Sequence, residues 1–93
     1  MSRGEVPGAS LHERAAQLAG ILAELGVARV IFRRPGAPAE ELITRRADLP
    51  AILVAAPRGS ELECPSARVA IIDGQLHWDS DDPAFVQALS PGS

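Results

Sequence analysis

Few side chains in this 93-residue chain could carry covalent or acid–base chemistry. There is one cysteine, Cys64, and there are two histidines, His12 and His77. A nucleophilic thiol needs a base within reach and a lowered pKa. His12 lies far from Cys64 in sequence. His77 sits on the segment that follows it, so a Cys64–His77 pair is the one cysteine-dependent enzyme the composition allows. The plainer expectation is an unactivated free thiol. A single cysteine excludes a disulfide framework and any zinc site built on several cysteines. Asp79, Asp81 and Asp82 around Ser80 invite a cation, but the ligand spacing and glycine of a calcium loop are missing. An acidic run just before Pro83 is what the start of a helix calls for. The expectation is therefore no catalytic set, no metal and no cofactor.

Arginine is the more informative residue. All nine basic residues are Arg, and Lys, Asn and Tyr are absent, which a codon bias toward G and C explains. Net charge is -1 over residues 1–28, +2 over 29–68 and -4 over 69–93, for -3 in total. An acidic chain with three aromatic residues, Phe32, Trp78 and Phe85, suits neither duplex neutralisation nor base stacking, so nucleic acid is disfavoured as a partner. The candidate ligand-binding residues are Arg33, Arg34, Arg58, Gly59 and Ser60. If segments 27–33 and 51–56 are parallel strands, the loops after them share one sheet edge, where a helix N-terminus would also open. Such crevices attract anions, so a phosphate, a carboxylate or an acidic protein segment would fit. The spacing matches neither G-x-G-x-x-G nor the P-loop, and Glu40 and Glu41 already sit at that helix start. Solvated loop arginines are the simpler alternative.

The elements that would position these residues follow from periodicity. Ser10 and Glu13 form a capping box, Leu11, Ala15, Leu18, Leu22 and Leu25 make one apolar stripe, and Gly26 stops a helix over 11–25. Ala16, Ala19, Gly20 and Ala23 form a strip of small residues on it. Residues 27–33 alternate as a strand. Pro38, acids first and arginines last predict a helix over 38–48, although Leu42, Thr44 and Arg46 also alternate. The apolar run 51–56 between Pro50 and Pro57 predicts a strand buried on both faces, parallel to the first through a crossover helix. Residues 57–66 read as a polar loop. Residues 68–78 read as a hairpin about Asp73-Gly74, with Val69, Ile71, Leu76 and Trp78 facing the core and His77 facing away. Asp82 and Pro83 open a short helix carrying Phe85, Val86 and Leu89.

The order α-β-α-β-β-β-α predicts an α+β fold in two layers, a small mixed sheet packed against helices. Residues 10–90 are expected as one domain, with 1–9 and 91–93 as disordered tails. No apolar stretch nears the roughly 18 residues a membrane span requires. Without a signal-peptide layout the expected location is cytoplasmic. The function class favoured is a small non-catalytic protein-interaction or regulatory domain, binding a protein partner or itself as a homodimer. A module for a small anionic ligand is the alternative, and a cysteine enzyme the remote one.

Overall fold

The computed structural model describes residues 2–89. It runs β1 (Ser2–Glu5), α1 (Leu11–Glu24), β2 (Arg29–Arg33), β3 (Glu40–Ile43), α2 (Leu49–Ala55), β4 (Glu61–Cys64), β5 (Ala67–Ile72), β6 (Gln75–Ser80) and α3 (Pro83–Leu89). The strands form one sheet in the order β1-β6-β5-β4-β2-β3. Every neighbouring pair is antiparallel. Helices cover one face only, which makes the fold the two-layer α+β arrangement the periodicity implies. Val30, Phe32, Leu62, Val69, Ile71, Leu76 and Trp78 point into that layer, where they meet Leu18 and Leu22 of α1, Leu49 and Leu53 of α2, and Phe85 and Leu89 of α3.

The hairpin forms in the expected register, with Ile72 opposite Gln75 and Val69 opposite Trp78. Asp73 and Gly74 both take positive φ, 49° and 77°, as a two-residue type I′ turn requires. Helix α1 also forms as read. The Ser10 hydroxyl accepts from the Glu13 N–H at 3.2 Å, and the Glu13 carboxylate accepts from the Ala9 N–H at 2.8 Å.

Four expectations change. Residues 38–48 do not form a helix: Glu40–Ile43 is a strand hairpinned to β2, with Gly36 at φ 73° in the connection. Glu41 meets Arg29 across the strands at 3.5 Å. Residues 51–56 are not a strand but lie mostly in α2. The Asp48 side chain caps this helix by accepting from the Ala51 N–H, Pro50 occupies its first turn, and Leu49 and Leu53 are buried at a spacing of four while Val54 stays half exposed. With that strand gone the sheet has no parallel pair. Within the supposed loop 57–66, Glu61–Cys64 is a strand whose Leu62 and Cys64 are buried and whose two glutamates face out. Finally, residues 2–5 of the supposed N-terminal tail pair with β6, and Val6 is buried and donates to the Leu76 carbonyl at 2.9 Å. The tail expected over 91–93 lies outside the described residues.

Strand β1 is seated by a close approach. Gly4 lies opposite Trp78, and a Cβ at Gly4 would stand 2.8 Å from the indole Cζ2. The indole in turn packs edge-on against Phe85, with centroids 5.9 Å apart. Gly4→Val should therefore cost about 1–3 kcal/mol, the range for overpacking, seen as a lower urea midpoint. A Cβ at Gly20 would meet nothing within 4 Å, so Gly20→Ala should instead stabilise by up to about 1 kcal/mol through helix propensity.

Candidate functional site

Arg33, Arg34, Arg58, Gly59 and Ser60 do reach one end of the sheet, for a reason other than the one the sequence implied. Strands β2 and β4 are antiparallel with Arg33 opposite Glu61. The chain leaving β2 therefore adjoins the chain entering β4, and a Cβ at Gly59 would be 3.2 Å from the Pro35 ring. The three guanidinium groups do not converge, because each is turned to its own carboxylate. Arg33 meets Glu63 at 2.9 Å, Arg34 meets Glu40 at 3.6 Å, and Arg58 meets Asp73 at 3.3 Å. Arg34 also lies over the Phe32 ring, 5.7 Å from its centroid. Gly59 takes φ 88° in the turn, and the buried Ser60 hydroxyl donates to the Pro57 carbonyl at 2.6 Å. An anion arriving here would compete with three carboxylates and would find the serine already engaged.

Cys64 and His77 are not brought together. Cys64 points into the helix layer and is buried, whereas His77 stands on the open face of β6 beside Glu5, 3.8 Å from its carboxylate. Burial, and secondarily the charge of Glu63, pushes the Cys64 thiol from 9.0 up to about 12, the opposite of what a nucleophile needs. Of the aspartates, Asp79 faces Arg3 at 3.5 Å, and Asp82 caps α3 by accepting from the Ala84 N–H at 3.0 Å. Among the described residues no group of His, Cys, Asp and Glu could hold a metal ion.

A different place combines an apolar floor with uncompensated charge. Helix α1 ends in paired bonds about Gly26, which has φ 72°: the Gly26 N–H donates to Ala23 C=O and the Val27 N–H to Leu22 C=O. This Schellman arrangement turns the chain sharply toward β2. The turn after β3 is tied to the same corner, since the Thr44 N–H bonds Ala28 C=O at 3.0 Å and its hydroxyl donates to Val27 C=O. Between the two lies a groove of about 550 Å³ with Ala19, Ala23, Val27 and Ala28 among its lining residues. Short side chains at 19 and 23 keep it open. Arg29, Arg45 and Arg46 line it together with Ile43, and no carboxylate does. Arg29 is paired with Glu41 at 3.5 Å, whereas Arg45 and Arg46 meet no acid among the described residues. The sequence signal for this groove was partial. The small-residue strip of α1 is legible in the sequence, whereas the arginine pair, which the sequence places at the end of a helix, sits in the turn after strand β3.

No family model, curated protein or solved structure matches this chain, and no helix among the described residues is long and apolar enough to cross a membrane.

The Cys64 shift has a measurable consequence. Folding holds the thiol protonated, so its contribution to stability is complete below about pH 9 and is lost as pH rises toward about 12. With no Lys or Tyr in the chain, no other side chain ordinarily titrates in that window. The urea midpoint should therefore fall between pH 9 and 12, and Cys64→Ala should flatten that slope.

Proposed function

We propose that this chain is a non-catalytic protein-interaction domain, and that its working surface is the groove between the end of α1 and the Thr44–Arg46 turn. One observation carries this reading: Arg45 and Arg46 flank an apolar groove without a carboxylate in its lining. Arginines at the former candidate edge and on the open sheet face are mostly neutralised by neighbours within the chain. A surface that leaves guanidinium groups unpaired beside apolar area suits a segment that alternates acidic and apolar residues. Its carboxylates would take the arginines and its side chains the Ala19–Ala23 floor. A regulatory role in the cytoplasm fits a small domain of this kind.

An NMR titration with a short peptide of alternating Glu and Leu tests it, with inorganic phosphate titrated in parallel. The peptide should shift the amides of Ala19, Ala23 and Thr44. The Arg45→Ala/Arg46→Ala variant should bind it roughly tenfold more weakly, or about 1.4 kcal/mol. Ala23→Leu should also weaken it, by filling the groove while leaving both charges in place. Phosphate that shifts the same amides as strongly as the peptide would make this a small-anion site. No shift with either would reject the groove as the working surface.

A further inference from the structure

The two edges of the sheet are built differently. Along an antiparallel strand, successive residues turn their N–H and C=O groups alternately toward one neighbour and toward the other. The Thr44–Ala28 bond fixes this phase for β3, so Glu40 and Leu42 face β2 while Glu41 and Ile43 face outward. The outward Ile43 carbonyl is already taken by the N–H groups of Arg46 and Ala47, both at 2.9 Å. Pro38 stands just ahead of this four-residue strand. A tight turn at one end and a proline near the other blunt β3 against strand addition. Strand β1 has no such protection at its centre. The Val6–Leu76 bond sets its phase, so Ser2 and Gly4 face β6 while Arg3 and Glu5 turn both backbone groups outward, where no described strand lies.

We propose that β1 pairs antiparallel with β1 of a second copy of this chain, about a two-fold axis at Gly4, and so joins two six-stranded sheets edge to edge. This goes beyond the groove reading and does not depend on it. The register follows from charge. With Gly4 opposite Gly4, Arg3 of each copy stands opposite Glu5 of the other, and each such pair exchanges its outward N–H and C=O groups. The neighbouring registers place Arg3 against Arg3 or Glu5 against Glu5, and like charges directly opposite destabilise a strand pair. Both side chains are available for the exchange. They are 78% and 57% exposed, and among the described residues Arg3 meets Asp79 at 3.5 Å and Glu5 meets His77 at 3.8 Å, contacts on one side that leave the outward side open. In the joined sheet Arg3 lies between Asp79 and the second copy's Glu5, while Glu5 lies between His77 and the second copy's Arg3. The axis itself needs no side chain, and Gly4 supplies none.

Molar mass by light scattering during size-exclusion chromatography tests this. The wild-type chain should run at twice its 9.8 kDa mass, more weakly in high salt. Arg3→Glu and Glu5→Arg each place like charges opposite one another and should each run as a monomer. An equimolar mixture of the two should regain the dimer mass, because an Arg-Gly-Arg edge then meets a Glu-Gly-Glu edge. Hydrogen exchange on the wild type gives a second reading that needs no variant: the outward amides of Arg3 and Glu5 should gain protection as protein concentration rises. Four outcomes overturn the proposal: a wild-type monomer at every salt concentration, a dimer that neither reversal disturbs, a mixture that stays monomeric, or exchange at Arg3 and Glu5 that ignores concentration. The peptide titration is read on the opposite side of the sheet, so either surface can fail without the other.

Discussion

The register of the β5–β6 hairpin is the constraint from which the rest of the sheet takes its place. Helices cover one face only, so each strand must alternate between the helix layer and the open side. A slip of one residue would bury Asp79 and His77 and expose Leu76 and Trp78. The Asp73-Gly74 turn prevents that slip, since both residues adopt positive φ and a two-residue loop admits one pairing. Strand β4 then takes its phase from β5, β1 from β6, and β2 from β4. The turn is also anchored from outside the hairpin: Arg14 at the start of α1 donates to the Gly74 carbonyl at 2.8 Å. First helix and central hairpin are thereby joined at the point where the register is decided.

A one-sided sheet must also make its open face compatible with water and with itself. Here the six residues aligned across the strands are Arg3, Asp79, Arg68, Glu63, Ile31 and Glu41. Opposite charges alternate over the first four of them. Exposed pairs of this kind contribute little stability one at a time. Their larger effect is on the field, because a face that neutralises itself offers no strong attraction to an arriving ion. The groove at Arg45 and Arg46 departs from that rule, and this contrast makes it the place to look for a partner.

How much of this was legible in the sequence depended on the range of the signals. Helix α1 and the β5–β6 hairpin were readable because their determinants are local: a Ser-x-x-Glu cap with a leucine stripe, and an Asp-Gly turn between alternating segments. The 38–56 region was misread because two local signals pointed the wrong way. Glu41 and Arg45 have helical spacing, yet Glu41 finds Arg29 from another strand. Pro50 could end one helix or begin the next, and the Asp48 cap decides for the second. Strands β1 and β4 are four residues each, too short for periodicity to stand out, and both exist through pairing with distant segments. The site suffered for the same reason. Arg33, Arg34 and Arg58 share one end of the sheet through an antiparallel pairing, and although Glu40 lies close to Arg34 in sequence, Glu63 and Asp73 are carboxylates that only the fold brings near.

Trp78 is the only tryptophan, and the chain has no tyrosine. Its indole N–H is buried and meets no acceptor among the described residues, and the ring lies under Gly4 of the N-terminal strand. Emission excited near the red edge of protein absorption thus arises from one ring at one place. Undocking of β1 would admit water to that ring and move the emission to longer wavelength while the rest of the sheet stayed intact. The protein therefore carries its own optical gauge of whether its first strand is seated.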